Sequence, residues 1–127
     1  MSTAKPILVV DDDAEVRTQL RSLLENQGFR VIDAADGDGA LAAQRRHGAA
    51  LMITDIVMPN KEGIETIRDF QKHHPEVKII AMSDRSGRGS SYLHLAAALG
   101  AHRTLAKPFS ARQMLDCVRE LLPGRGD

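Results

Sequence analysis

Tryptophan is absent, and cysteine occurs once, at Cys117. A lone cysteine excludes an internal disulfide, so the fold must be held by its core, and a reducing cytoplasmic setting is expected. Charge of one sign is also missing: 17 basic residues balance 17 acidic ones, for a formal net charge of zero. A neutral chain carries no broad electrostatic footprint for nucleic acid. No apolar run approaches the roughly 20 residues that a membrane-spanning helix needs. The opening Met1-Ser2-Thr3-Ala4-Lys5-Pro6 runs into an expected strand without the apolar core of a signal peptide. Linkers, low-complexity tracts and solenoid repeats are lacking as well. What remains is an ordinary globular composition, 43% hydrophobic and 27% charged over 127 residues, which suits one domain with a core over about residues 5–122.

Short apolar runs alternate with longer amphipathic stretches. Strands are expected at Pro6–Val10, Phe29–Ala34, from Leu51 to Asp55, at Val77–Met82 and at His102–Ala106. Helices are expected between and after them. Val16, Leu20, Leu23 and Leu24 mark the first, ending at Gly28. Ala40, Leu41 and Ala43 mark the second, closed by Gly48. Ile64, Ile67 and Phe70 mark the third, and Met114, Leu115, Val118, Leu121 and Leu122 the last. Asp12 to Glu15 and Ser110 to Gln113 have capping-box spacing. A polar loop is expected from Asp84 to Ser90, with the fourth helix holding Tyr92, Leu93, Leu95, Ala96 and Leu99. Cys117 falls on the apolar stripe of the last helix, where packing is its expected role.

Five strand–helix units in strict alternation imply an α/β fold: a doubly wound parallel sheet with right-handed crossovers and helices on both faces. With strand order 2-1-3-4-5, ligands gather at the carboxyl ends of the strands. Asp11 and Asp12 follow the first strand there, Asp55 ends the third, Ser83 the fourth and Lys107 the fifth. Singly, each has a plainer role: Asp12 and Asp13 as helix caps, Asp55 as a turn residue before Met58-Pro59, Ser83 as a loop hydroxyl, Lys107 as a solvated lysine. Together, three carboxylates repel one another unless a cation holds them, and an all-oxygen set suits Mg2+. A hard cation, an ammonium and a hydroxyl are what a transferring phosphoryl group requires, and an Asp carboxylate can accept it.

Leu8-Val9-Val10-Asp11-Asp12, Thr54-Asp55-Ile56-Val57-Met58-Pro59, Ser83 and Lys107-Pro108-Phe109 resemble, in order, the motifs of the receiver domain of two-component response regulators, the CheY-like fold. The resemblance covers nearly the whole chain. It implies a phosphoacceptor signalling domain rather than an enzyme, taking phosphoryl onto Asp55 from a phosphohistidine of a sensor histidine kinase or histidine phosphotransfer protein. It implies that Asp12, Asp55 and the Val57 backbone carbonyl bind Mg2+, that Asp11 acts through water, and that Lys107 and Ser83 contact the phosphoryl group. It implies a usually cis Lys107–Pro108 bond and a downstream protein partner at the face of the fourth helix, fifth strand and fifth helix. The family usually carries an aromatic residue where this chain has Thr104, so the expected switch runs from Ser83 through residues 84–91 to Tyr92. No output domain is expected after the last helix, and neither nucleic acid nor membrane is expected as a direct partner.

Two other readings use the same residues. A phosphohydrolase of the haloacid-dehalogenase type would need an acid two positions after the nucleophile, where this chain has Val57. A receiver-like module that binds without phosphorylation would have no use for the full acidic set.

Overall fold

The computed structural model describes residues 4–56, 63–84 and 88–122, excluding the side chains of residue 84 and residues 88–92. Ten elements alternate strictly: β1 (Ile7–Val10), α1 (Ala14–Glu25), β2 (Val31–Ala34), α2 (Gly37–His47), β3 (Leu51–Asp55), α3 (Gly63–His73), β4 (Lys78–Asp84), α4 (Arg88–Ala98), β5 (Arg103–Lys107) and α5 (Ala111–Leu121). The five strands pair in parallel in the order β2-β1-β3-β4-β5, as expected.

Burial explains the unbroken apolar runs. All four residues of β1 and all five of β3 are buried, because helices cover both faces of the sheet. Alternate residues serve different cores. Ile7, Val9, Leu51, Ile53, Ile80 and Met82 pack with Leu20 and Leu24 of α1 and with Met114, Leu115 and Val118 of α5. Leu8, Val10, Met52, Ile79 and Ala81 pack on the other face with Ala40 of α2, Ile64, Ile67 and Phe70 of α3, and Ala96 of α4. Cys117 packs against the first of these cores, and burial pushes its thiol pKa up, in keeping with a packing role.

The helix ends follow from particular side chains. Gly28, at φ +92°, lets the Phe29 N–H reach back to the Leu24 carbonyl and the Gly28 N–H to the Glu25 carbonyl, a Schellman closure of α1. Ser110 and Gln113 form the expected reciprocal capping box at α5. The capping box expected at Asp12 does not form: Asp13 is the N-cap instead, its Oδ1 accepting from the Glu15 N–H at 2.9 Å, and the residue three positions on is Val16, which cannot reciprocate. Asp12 is thereby left without capping duty. Asp36 caps α2 by accepting from the Gly39 N–H at 2.8 Å, a role the sequence reading did not assign. Gln44 continues the work of a ladder by side chain, donating to the Ala49 carbonyl at 3.3 Å and accepting from its N–H at 2.9 Å.

The expected loop from Asp84 to Ser90 is corrected at both ends. β4 runs on through Ser83 and Asp84, which stand opposite Ala106 and Lys107 of β5, and α4 begins at Arg88. The Arg88-Gly89-Ser90-Ser91 start has no apolar periodicity and contains poor helix formers, so it carried no helical signal. Residues 85–87 lie outside the described residues.

Candidate functional site

The parallel register brings the carboxyl ends of β1, β3, β4 and β5 to one edge, and the expected residues meet there. Asp11 is buried at 1% exposure, Asp55 at 9% and Ser83 at 3%, whereas Asp12 is exposed. One carboxylate oxygen from each of Asp11, Asp12 and Asp55 lies within 4.8 Å of the other two. The Lys107 Nζ reaches in from the end of β5, 3.1 Å from Asp55 Oδ2 and 3.2 Å from Asp11 Oδ2. The Lys107–Pro108 bond is cis.

The backbone sets each of these groups. Asp11 is held at every polar atom: its N–H donates to the Ala34 carbonyl at 3.2 Å, its Oδ1 accepts from the Asp13 N–H at 2.9 Å, and its Oδ2 meets Lys107. Its carbonyl accepts from Arg17 Nη1 at 2.7 Å. Asp55 ends β3 opposite Met82, and the chain beyond it is tied down by the Ile56 N–H on the Met82 carbonyl at 3.1 Å and the Gly63 N–H on the Ile56 carbonyl at 3.2 Å.

The electrostatics follow from burial and crowding. Burial pushes the Asp11 carboxyl up, and the Asp55 charge adds to this; the Asp13 N–H and the Lys107 ammonium oppose it without winning. Burial alone would pull Lys107 down, but the Asp55 and Asp11 carboxylates outweigh it and raise its pKa. The lysine is therefore a fixed cation between two carboxylates, while Asp12 offers a third carboxylate on the solvent side. Clustered hard oxygen donors open to solvent fit a divalent cation such as Mg2+.

Of the other expected residues, Thr104 is exposed on the edge strand β5, opposite Ala81. Val57 lies outside the described residues, and Tyr92 lies in α4 with its side chain outside them. Two residues at the site escaped the sequence reading. Arg17 sits six positions after Asp11 on α1, where an arginine ordinarily reads as a solvated helix residue. Gly63 opens α3 directly against the Asp55–Ile56 peptide; a glycine at a helix start after Pro59 was the available signal.

The chain belongs to the response regulator receiver domain family, which matches residues 7–119. It is 36% identical over 116 residues to the transcriptional regulatory protein CpxR of Klebsiella pneumoniae subsp. pneumoniae (strain HS11286), covering 91% of this chain and 48% of that protein. It is 32% identical over 118 residues to the alkaline phosphatase synthesis transcriptional regulatory protein PhoP of Bacillus subtilis (strain 168), covering 93% of this chain and 48% of that one. The chain thus spans about half the length of the curated relatives it matches. Among solved structures, the receiver domain of NtrX from Brucella abortus superposes with a TM-score of 0.87 at 28% identity, covering 93% of this chain and 98% of that one. A CheY-like receiver domain protein from Methanospirillum hungatei JF-1 superposes at 0.85 with 29% identity, covering 94% of each chain. Among the described residues no helix is long and apolar enough to cross a membrane.

Proposed function

We propose that this receiver domain is a phosphoacceptor that takes a phosphoryl group onto Asp55 from a phosphohistidine of a sensor histidine kinase or a histidine phosphotransfer protein. The observation that carries the reading is the Lys107 ammonium shared between Asp55 and Asp11, with Asp12 completing a carboxylate cluster beside it. An Asp55 oxygen attacks phosphorus, the P–N bond to the imidazole breaks with its electron pair returning to nitrogen, and an acyl phosphate results. Lys107 stays within reach of the phosphoryl oxygens and balances their charge. Asp12 and Asp55 would hold Mg2+, with Asp11 acting through water, and the ion when bound neutralises phosphoryl oxygens. The chain's own work is to accept, orient and charge-balance; it turns over no separate substrate.

The signal leaves through Ser83. Its place one residue past the Asp55–Met82 pairing lets its hydroxyl be drawn toward the phosphoryl group, and β4 carries that pull to the start of α4 with Tyr92. Thr104 is too small to serve as an aromatic reporter. The face of α4, β5 and α5 then changes its affinity for a downstream protein. Residues 88–91 already belong to α4, so the rearrangement takes the form of a shift of the helix start rather than the ordering of a long loop. Hydrogen exchange with beryllofluoride and Mg2+ should show new protection at the start of α4; protection confined to the surroundings of Thr104 would refute this route.

Incubation with Mg2+ and a small phosphodonor, followed by intact mass and peptide mapping, tests the core of the reading. The wild-type chain should gain one phosphoryl group on the peptide holding Asp55, and Asp55→Asn should gain none. Modification of Asp55→Asn at the wild-type rate would overturn the assignment.

A further inference from the structure

Arg17 is joined to the site by a contact that neither helix propensity nor surface charge explains. Its Nη1 donates to the Asp11 carbonyl at 2.7 Å, a short bond at a side chain only 20% exposed. That carbonyl belongs to the peptide linking Asp11 to Asp12. The other side of the guanidinium faces β2: Arg17 Nε lies 3.8 Å from Asp33 Oδ2, and the same oxygen lies 3.3 Å from Arg21 Nη1. Arg21 in turn donates from Nη2 to the Val31 carbonyl at 2.7 Å. A chain of contacts therefore runs from the edge strand through Asp33 and Arg17 to the peptide plane that precedes Asp12.

We infer that Arg17 is a positioning residue for the carboxylate pocket: it fixes the Asp11–Asp12 peptide plane and so sets the direction in which the Asp12 carboxylate points. This rests on the reading of the cluster as a cation site. Asp11 needs little help, since its N–H and both carboxylate oxygens have partners of their own. Asp12 has no capping duty, because Asp13 took that role, and it is exposed. The peptide joining it to Asp11 is its firm attachment, and Arg17 holds the oxygen of that peptide. Asp33 keeps the guanidinium from swinging into solvent, and Arg21 steadies Asp33.

Two physical effects of removing Arg17 have opposite signs, which makes the inference testable. A guanidinium near a cation site repels the cation, so if its charge were what mattered, removing it would tighten Mg2+ binding. If Arg17 positions, removing it loosens Asp12 and weakens binding, as loss of a residue that orients metal ligands generally does.

Mg2+ titrations of the full chain, read by calorimetry or by thermal shift, should separate these. Arg17→Ala should raise the Mg2+ midpoint about tenfold, and phosphorylation by a small donor should recover toward the wild-type rate at saturating Mg2+. Arg17→Lys keeps a donor for the carbonyl and should stay within about threefold of wild type. Arg21→Ala loses its contacts to Asp33, Val31 and Glu25 and reaches Arg17 only through Asp33; it should lower the melting temperature and move the Mg2+ midpoint by less than Asp33→Asn does. Should Arg17→Ala fail to fold, Asp33→Asn, which weakens the pairs to Arg17 and Arg21 and leaves the Arg17 bond to the Asp11 carbonyl in place, should still raise the midpoint by about threefold. A midpoint in Arg17→Ala equal to or below that of wild type overturns the positioning role while leaving the cation site standing. Absence of any Mg2+ response in the wild-type chain overturns the cation site itself, and the inference with it.

Discussion

Replacing Gly63 with alanine perturbs Asp55, the proposed acceptor, from behind. Gly63 opens α3, and its backbone lies directly against the end of β3. A Cβ built there overlaps the Asp55 carbonyl oxygen and the Ile56 Cα and stands 3.0 Å from the Asp55 carbonyl carbon. All three are main-chain atoms, so no rotamer change can clear them. Restoring ordinary contact near 3.5 Å requires the helix start or the strand end to move on the order of 1 Å. Overpacking of this kind costs about 1–3 kcal/mol, and the better helix propensity of alanine returns at most about 1 kcal/mol. The net cost, about 1–2 kcal/mol at the middle of these ranges, corresponds for a domain of this size to a melting temperature lower by roughly 3–10 °C. The displaced group is the backbone of Asp55, the proposed phosphoacceptor, and misplacement of a reacting group by about 1 Å can cost about a hundredfold in rate. Circular-dichroism melts and a mass-spectrometric time course with a small phosphodonor measure both effects. Gly39→Ala is the milder comparison: its Cβ would meet Asp36 Oδ1 at 3.2 Å and the Ala34 Cβ at 3.3 Å, approaches that need shifts of only a few tenths of an ångström. A Gly63→Ala protein melting within about 2 °C of wild type and phosphorylated at the wild-type rate would refute the close-approach argument.

Three further outcomes are expected. His102 Nδ1 accepts the Ile79 N–H at 3.0 Å and must be unprotonated to do so; burial, followed by the Lys78 and Arg103 charges, lowers its pKa from the ordinary 6.5. The stability it contributes is present above that ordinary value and lost as pH falls through the lower folded value, so wild type should lose more melting temperature between about pH 7 and about pH 5 than His102→Gln does; parallel curves would count against it. Lys107→Met removes the ammonium that opposes the raised Asp11 pKa, so in the variant the folded state favours a protonated Asp11 carboxyl more strongly. The variant's stability deficit without Mg2+ should therefore shrink as pH falls, and a deficit equal at about pH 5 and about pH 7.5 would exclude this account. Gln44→Leu strips both hydrogen-bond partners from Ala49 in a buried site and should cost about 1–3 kcal/mol in urea denaturation, against no change if those bonds are idle.

The sheet and its order were legible because β1 and β3 are covered on both faces and must be apolar throughout, and because glycines at 28 and 48 punctuate the helices. Asp11, Asp12, Asp55, Ser83 and Lys107 were legible because strand ends in such a sheet share an edge. Three consecutive aspartates, however, allow more than one capping frame, and spacing alone could not choose Asp13 over Asp12. The start of α4 gave no periodic signal, since Arg88, Gly89, Ser90 and Ser91 bury no apolar stripe of their own. Arg17 and Gly63 act through main-chain atoms at a distance in sequence or across a helix–strand junction. Such contacts depend on how the backbone folds back, which residue type does not reveal.

The strand order also sets a sequence of events during synthesis. β2, β1 and β3 are contiguous in the sheet, so the first 55 residues can already bring Asp11, Asp12 and Asp55 together. Lys107 lies 52 residues further on than Asp55. At about 5–20 residues per second, that delay is roughly 3–10 s. A sheet of β2, β1 and β3 formed in that interval would hold three neighbouring carboxylates and lack the ammonium that later joins two of them. Dissolved cations or a loosened β1–β3 junction would have to carry the repulsion in the meantime. The last strand to be made is the one that neutralises what the first and third have assembled.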